Sequence, residues 1–280
     1  MRIQPIVSLA QQASALALLD EGFKGGETFW RTAFLAPPGR FGHGLLLETE
    51  GHCAVGVILL FESERGWGGQ RRRVVNLSSW FIRPEYRAHA LNMICQATAD
   101  KAGIYTNFSP SGSVQKLMTA LGFRYVWQGA LQSVPLLNGL SSGSGVVIED
   151  ADTVAHQHQI KLTPTEIVPL PKRYVWVKAR MMDRVVDVVF RIILWRGRRI
   201  GQLTYSSDHR TLRCVLASLH WHMLFRHRML ALLLPLLPVY AGLKSVRKSP
   251  YGPVAMVRGN IPDEQVDMLQ SEFHYLPLNF

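Results

Sequence analysis

The stretch VVNLSSWFIRPEYRAHALNMICQATADKAGIYTNFSPSGSVQKLMTALGFRYV, residues 74–126, carries the pattern that decides the fold. Alternating apolar residues predict a long strand over Val74–Ile82, and apolar residues at helical spacing predict a helix over His89–Lys101. A short strand over Ile104–Phe108 and a helix over Ser113–Leu121 follow. This alternation of strands and helices predicts an α/β (α+β) fold with a mixed central sheet flanked by helices.

The residues before this stretch predict two short helices and a hairpin. Apolar positions at helical spacing run through residues 8–34 and are interrupted by a Gly-Gly pair. Gly44–Glu48 and Ala54–Phe61 are two apolar runs joined by a turn-like tetrapeptide, which predicts an antiparallel hairpin. The Gly-rich residues 64–70 predict a loop between the hairpin and the long strand.

Three motifs in this region resemble the core of the GCN5-related N-acetyltransferase (GNAT) superfamily. The turn after the long strand reads Ile82-Arg83-Pro84-Glu85-Tyr86-Arg87, and the last helix ends in Leu121-Gly122-Phe123. The second hairpin strand begins Ala54-Val55-Gly56-Val57, and the resemblance covers about residues 1–130. It implies a divergent member of the superfamily, which would move an acetyl or longer acyl group from acyl-CoA to an amine of a small molecule or protein.

The resemblance also implies where the co-substrate, acetyl-CoA or another acyl-CoA, binds. Backbone groups of the long strand would pair with the pantetheine arm. The turn before the next helix would bind the diphosphate, because helix N-termini favour anions. Ala90 and Asn92 stand where the family has glycines, so diphosphate binding is expected to be altered. The implied cofactor-binding positions are Phe81, Ile82, Arg83, Arg87, Ala88, His89, Ala90, Leu91, Asn92 and Asn107.

The catalytic side chains that the family uses are not all present. Met118 stands where the family often has a tyrosine that protonates the leaving thiolate, and methionine has no proton to donate. The long strand has no carboxylate to act as a base. Tyr105 and Ser109, on and just after the neighbouring strand, are the candidate catalytic substitutes, although Tyr105 also fits a core position. Activity is still expected, because positioning a neutral amine supplies much of the rate.

A stretch rich in glycine and serine, residues 138–147, predicts a linker between two domains. The first domain, residues 1–137, is the GNAT-like N-acyltransferase domain. Apolar patterns in residues 148–280 predict a second, degenerate GNAT-like α/β domain, although no internal sequence repeat is visible. The predicted elements of this second half are strands over Val185–Trp195, Ile200–Tyr205, Leu230–Leu237 and Pro253–Arg258, and helices over Leu212–Arg226 and Asp263–Phe273.

Composition narrows the class of protein. Lys and Arg exceed Asp and Glu by 31 to 20, and the net charge of +11 suits anionic partners such as CoA, nucleic acid or a membrane surface. No helix-turn-helix or zinc module accompanies this charge, so nucleic-acid binding is not expected. The most apolar run, Met229–Gly242, is too short and too rich in proline for a transmembrane segment. Three widely spaced cysteines favour a reducing compartment, the cytoplasm.

Histidines at positions 220, 222 and 227 raise the question of a metal site. His220 and His222 would point about 200° apart on a helix, so no metal site is predicted, with or without Cys214. Two other interpretations of the whole chain stay open: a non-catalytic GNAT-like binding module, and a basic binder of nucleic acid or membrane surfaces. The amine acceptor, the acyl chain length and the oligomeric state do not follow from the sequence.

Overall fold

The computed structural model describes residues 1–23, 25–67, 70–134, 145–151, 159–163, 166–169, 173–243 and 246–276. The chain divides into two compact units, which are described separately below. Unit 1 comprises Met1–Arg124, Met256–Asn260 and Gln270–Leu278. Unit 2 comprises Tyr125–Ala255, Ile261–Leu269 and Asn279–Phe280.

Unit 1 is built on a mixed sheet. Its strands are β1 Arg2–Pro5, β2 Gly44–Glu48, β3 Ala54–Trp67, β4 Gln70–Ile82, β5 Ile104–Asn107 and the last residues of β14 Val246–Arg258. They lie in the order β1-β2-β3-β4-β5-β14, and β4 and β5 are parallel whereas the other neighbours are antiparallel. The helices of unit 1 are α1 Leu9–Phe23, α2 Glu27–Arg31, α3 Ala90–Ala97, α4 Gly112–Ala120 and α6 Glu272–Tyr275.

The core of unit 1 lies between this sheet and its first two helices. Val57, Leu59 and Phe61 alternate along β3, so their side chains share one face of the sheet. Leu19 of α1 and Trp30 of α2 are buried in the same cluster as these three side chains. The two N-terminal helices predicted from the apolar spacing are therefore confirmed, and they pack on the predicted hairpin.

The loop expected at residues 64–70 is wrong, because β3 and β4 run on into this region as one long antiparallel ladder. Oppositely charged side chains face each other across the two strands. Arg73 lies 2.7 Å from Glu62, and Arg71 lies 3.4 Å from Glu64. Such cross-strand pairs stabilise a ladder, but they carry no apolar alternation from which a strand can be predicted.

The end of α4 is as predicted. Gly122 has φ +84°, and the N–H of Phe123 donates to the carbonyl of Met118 at 3.0 Å. This left-handed glycine satisfies the last carbonyls of the helix. The helix expected over His89–Lys101 is shorter, because α3 covers only Ala90–Ala97.

The strands of unit 2 also pair in a mixed arrangement. These strands are β6 Arg124–Ser133, β7 Val146–Asp150, β10 Tyr174–Met181, β11 Arg184–Trp195, β12 Arg198–Ser206, β13 Ala231–Pro235 and the earlier residues of β14. They lie in the order β14-β6-β13-β12-β11-β10-β7, and β12 and β13 are parallel. A separate antiparallel pair is formed by β8 Gln159–Thr163 and β9 Glu166–Pro169, and the main helix is α5 His209–His227.

The C-terminal part of the chain differs most from the prediction. The closing helix expected over Asp263–Phe273 is wrong: a 3-10 turn covers Asp263–Gln265 and a one-turn helix, α6, begins at Glu272. The expected domains, residues 1–137 and 148–280, each used one continuous half of the chain. In the structure unit 1 also takes residues from the C-terminal region, because Met256–Arg258 supplies the strand beside β5.

The apolar run Met229–Gly242 contains the buried strand β13, as predicted. Among the described residues, no helix combines the length and hydropathy that crossing a membrane requires. The predicted linker, residues 138–147, lies mostly outside the described residues.

Candidate active site

In unit 1 the parallel strands β4 and β5 separate at one end. They pair at Val74, Val75 and Asn76 of β4, and the last pair is Asn76 with Thr106. β5 ends one residue later, whereas β4 continues through residues 77–82. Within the described part of the chain, β5 offers these residues no further partner. A wedge therefore opens between the two strands, and backbone N–H and C=O groups of β4 line it.

A β-bulge bends β4 inside this wedge. Ser79 and Trp80 of β4 together oppose the single residue Ile58 of β3. Ser79 has φ +47°, a left-handed conformation that costs a residue with a side chain on the order of 1 kcal/mol. A bulge interrupts the ladder and turns the strand, so this strained residue lies where β4 leaves β5.

The predicted diphosphate turn is helical in the structure. Pro84–His89 forms a 3-10 helix that leads directly into α3, and the N–H of Ala90 donates to the carbonyl of Arg87. Backbone N–H groups are thus engaged inside the helix, and the turn is not an open backbone cradle. An anion here would rely on the Arg87 guanidinium. Of the predicted binding residues in this segment, Arg87, Ala88, Leu91 and Asn92 are exposed, and His89 and Ala90 are half-buried.

The three predicted residues before the turn use their side chains to hold the fold. Ile82 is buried, and the half-buried ring of Phe81 lies 6.4 Å from the ring of Phe23 in α1. The guanidinium of Arg83 is paired with the carboxylate of Glu21 at 2.9 Å. Towards a ligand in the wedge, these residues therefore offer mainly their backbone.

A buried carboxylate lies at the base of the wedge. Glu272 of α6 is 1% exposed, and its backbone N–H donates to Asn76 Oδ1 at 2.9 Å. Its Oε1 accepts a hydrogen bond from Ser109 Oγ at 2.8 Å. Asn107 Oδ1 accepts from the N–H of Ser109 at 3.1 Å. The structure thus brings the predicted Asn107 and Ser109 together with a carboxylate, and Ser109 itself is exposed.

Glu272 is a functional candidate that the sequence did not reveal. It lies 196 residues after Asn76, in a segment where a longer helix was expected. One local signal was present, because Ser271 precedes it and caps α6 by accepting from the N–H of Phe273 at 3.2 Å. A cap marks where a helix begins but does not show which strand the helix lies against.

Tyr105 does not join this cluster, contrary to the expectation that it faces the reacting end with Ser109. It is 1% exposed, and its hydroxyl donates to the carbonyl of Asp100, in the loop before β5. The guanidinium of Arg258 lies over its ring at 5.1 Å. Tyr105 is therefore a core residue. Met118 is also buried.

Comparison with known proteins rests on structure. No protein-family model and no curated protein sequence matches the chain. A GCN5-related N-acetyltransferase from Anabaena variabilis superposes with a TM-score of 0.61 and 13% identity, over 92% of this chain and 72% of that one. A GCN5-related N-acetyltransferase from Kribbella flavida superposes with a TM-score of 0.54 and 15% identity, over 92% of this chain and 70% of that one. Eis1 from Mycobacterium abscessus superposes with a TM-score of 0.56 and 13% identity, over 92% of this chain and 73% of that one.

The chain has the GNAT fold. The fold expected from residues 74–126 is thereby confirmed, and the likeness extends over most of the chain. At these identities it establishes the fold alone, so activity must be argued from the site.

Unit 2 contains a parallel pair with the same local features as the GNAT wedge of unit 1. β12 and β13 pair at three positions, the last being Gln202 with Leu233, and β12 then continues to Ser206. A register shift leaves Thr204 as the extra residue of a bulge against β11. A small pocket at this place is lined by Trp127, Leu203, Thr204, Tyr205, Ser206, His209, Pro235, Val266, Asp267 and Met268.

The start of the following helix in unit 2 is chemically different. Asp208 caps α5: its carboxylate accepts from the N–H of Arg210 at 2.8 Å and from the hydroxyl of Thr211 at 2.5 Å. Beside it, His209 Nδ1 lies 2.6 Å from Tyr240 Oη. Burial lowers the pKa of His209 to about 4 and raises the pKa of Tyr240. A carboxylate already occupies the position where an anionic ligand would bind.

The histidines of α5 point in different directions, as their spacing predicted. His220 is buried, its Nδ1 lies 3.2 Å from Ser133 Oγ, and burial lowers its pKa to about 4. His222 instead hydrogen-bonds Asp150 Oδ1 at 3.0 Å. The two histidines therefore do not share a ligand.

Proposed function

We propose that unit 1 is an N-acyltransferase that takes an acetyl or longer acyl group from acyl-CoA and transfers it to an amine. The observation that carries this proposal is the wedge between β4 and β5 in a GNAT fold. Residues 77–82 extend past the end of β5, and a bulge at Ser79 bends β4 there. Amide groups of a pantetheine arm can pair with such a strand as another strand would.

Charge at the turn supports the CoA assignment. The exposed guanidinium of Arg87 lies where the 3-10 helix leads into α3, and guanidinium groups bind phosphate oxygens through two parallel hydrogen bonds. Because the backbone of Pro84–His89 is engaged in its own helix, this side chain would carry more of the diphosphate binding than a glycine-rich loop requires.

Ser109 and Glu272 would accept the proton that the amine loses. In the proposed step the amine nitrogen attacks the thioester carbonyl, the C–N bond forms and the C–S bond breaks. The exposed Ser109 hydroxyl takes the amine proton while its own proton passes to Glu272 Oε1, 2.8 Å away. The thiolate leaves with the electron pair and takes a proton from water, and Glu272 returns its proton through Ser109 to the hydroxide that is left, which restores the carboxylate. This relay takes the role of the missing strand carboxylate, and water takes the role of the tyrosine that Met118 replaces.

We also propose that unit 2 is a second, degenerate GNAT-like domain. An antiparallel meander of β10, β11 and β12 followed by α5 and the parallel strand β13 supports this. The capped start of α5 argues against a second CoA site.

We propose the cytoplasm as the compartment of the protein. The exposed free thiols of Cys53, Cys95 and Cys214 support this, because the cytoplasm keeps thiols reduced.

Thermal unfolding with acetyl-CoA, longer acyl-CoAs and free CoA tests the proposal. A ligand at 100 times its Kd should raise the free energy of unfolding by about 2.7 kcal/mol. Arg87→Ala should weaken CoA binding by roughly tenfold, or ~1.4 kcal/mol. Arg198→Ala, which removes an exposed arginine of unit 2, is the matched control and should bind normally.

Two results would overturn parts of this account. If no acyl-CoA and no free CoA changes the unfolding temperature, the chain is not an acyl-CoA protein. If acyl-CoA binds but no amine in a broad panel releases CoA thiol, unit 1 is a binding module without transferase activity.

A further inference from the structure

A second group of potentially reactive side chains lies in unit 2, apart from the wedge of unit 1. Asp150 is the last residue of β7, and His222 and His227 lie in the last turns of α5. Both His222 Nε2, at 3.0 Å, and His227 Nε2, at 2.8 Å, approach the same oxygen, Asp150 Oδ1. All three candidate ligand atoms lie within 4.8 Å of one another.

The end of the helix makes this convergence possible. Residues five apart on a helix are separated by about 7.5 Å along the axis and by about 140° around it, so they do not normally meet. His227, however, is the last residue of α5, and Arg228 after it adopts a left-handed conformation with φ +56°. The two imidazole rings come to 5.8 Å between centroids.

The spacing matches the donor set of a metal ion. In a tetrahedral zinc site with bonds of about 2.0–2.1 Å, neighbouring ligand atoms are about 3.3 Å apart. The two N···O distances here, 3.0 and 2.8 Å, need to widen by only a few tenths of an ångström, and the two imidazole nitrogens, which lie within 4.8 Å of each other, need to reach the same separation. We propose that Asp150, His222 and His227 bind a divalent transition-metal ion, zinc above all, with a fourth position open to solvent.

The second oxygen of the carboxylate is already held in place. Arg226 Nε lies 3.2 Å from Asp150 Oδ2, which leaves Oδ1 to face the histidines. Such second-sphere contacts orient metal ligands. Side-chain exposures of 18% to 33% at the three ligands give an ion access.

The chemistry of the set selects the metal. Two imidazoles and one carboxylate suit zinc and its neighbours, whereas Mg²⁺ and Ca²⁺ prefer oxygen ligands throughout. Two histidines and a carboxylate also suit Fe²⁺, which binds nitrogen and oxygen sites less tightly than Zn²⁺. Since β7 is the edge strand of the unit 2 sheet, the ion would fasten that edge to the end of α5.

The experiment uses the full chain after treatment with a chelator. Zn²⁺ at 100 times its Kd should raise the folded-to-unfolded ratio about 100-fold, and Mg²⁺ or Ca²⁺ should leave it unchanged. One Co²⁺ ion should bind per chain and should show the visible absorption of a four-coordinate site. In H222Q/H227Q both effects should disappear, and glutamine preserves a hydrogen bond to Asp150.

Controls separate ligation from general charge effects. His52→Gln removes an exposed histidine of unit 1 and should respond to Zn²⁺ as the parent chain does. Arg198→Gln removes an exposed cation of unit 2 and should leave the Zn²⁺ response unchanged. If H222Q/H227Q fails to fold, Asp150→Asn provides the readout and should bind at least tenfold more weakly. An undiminished Zn²⁺ response in these ligand variants, or Fe²⁺ binding tighter than Zn²⁺, would overturn the assignment.

Discussion

The two parallel strand pairs, β4 with β5 in unit 1 and β12 with β13 in unit 2, share a backbone plan and differ in chemistry. In each, three paired positions are followed by a longer strand that carries a bulge. In unit 1 the crossover starts at Pro84 without a side-chain cap and carries the exposed Arg87. In unit 2 it starts at Asp208, whose carboxylate caps the helix.

This difference teaches that the backbone plan and the binding of an anion are separable. A helix N-terminus attracts one negative group, either a ligand phosphate or a side-chain carboxylate. In unit 2 the Asp208 carboxylate accepts from an N–H group at the start of α5, and this cap stabilises the helix. Unit 1 has kept a cation at the corresponding place and has set a buried carboxylate, Glu272, against the base of its wedge.

The largest expected effect is a loss of turnover when Glu272 is replaced. Glu272→Gln keeps the size of the side chain and its contact with Ser109, but removes the proton acceptor. Turnover with an amine that supports CoA release should fall by about 10²-fold or more, while the Kd for acyl-CoA stays unchanged. Glu50→Gln, at an exposed turn of unit 1, is the matched control. Equal loss in both variants, or none in Glu272→Gln, would remove Glu272 from the mechanism.

The next effect is a loss of stability of unit 2 in mild acid. His209 and His220 have folded-state pKa values of about 4, below the ordinary 6.5, so the unfolded chain binds more protons between these values. The contribution of the two neutral histidines to the free energy of unfolding is complete above pH 6.5 and is lost as the pH falls towards 4. Between pH 7 and pH 5 the free energy of unfolding should drop by about 2 kcal/mol per histidine.

Denaturant unfolding at several pH values, with a chelator present, measures this drop. NMR titration of the imidazole protons is the second readout and does not depend on a mutant that folds. Resonances of His209 or His220 that titrate near 6.5 would show that these histidines are not held neutral by burial.

The smallest expected effect is on the free energy of unfolding, when the residues that precede α5 and α3 are replaced in turn. Asp208→Ala removes the cap of α5 and should lower the free energy of unfolding by about 1 kcal/mol. His89→Ala at the start of α3 removes a side chain that makes no cap hydrogen bond, and should change it by less than about 0.5 kcal/mol. Equal costs for the two substitutions, measured by urea unfolding, would contradict the difference between the helices.

Local periodicity predicted the helices and strands of unit 1, and the motifs that resemble the GNAT superfamily predicted the fold. The strand Val74–Ile82, the following helices and the glycine at 122 each obey a rule about neighbouring residues, and their order indicated the GNAT core. Where charged residues replaced apolar ones, as in the ladder of Arg73 and Glu62, the same rules missed a real strand extension.

The candidate site could be predicted only in part. Asn107 ends β5 and Ser109 comes two residues later, so their place at the wedge could be inferred from topology. Glu272 and Asp150 could not, because each meets its partners only through contacts between residues far apart in the chain. Tyr105 shows the opposite error: its residue type suited catalysis, but the face of the strand on which it lies turns its hydroxyl to Asp100.

The most direct test of the central claim is to count and locate bound acyl-CoA. Calorimetric titration should give one molecule per chain. Hydrogen exchange in the complex should show protection at residues 77–92 of unit 1 and no change at residues 203–210 of unit 2. Protection confined to residues 203–210, or two molecules per chain, would contradict the claim that the wedge of unit 1 is the acyl-CoA site and that the capped helix of unit 2 excludes one.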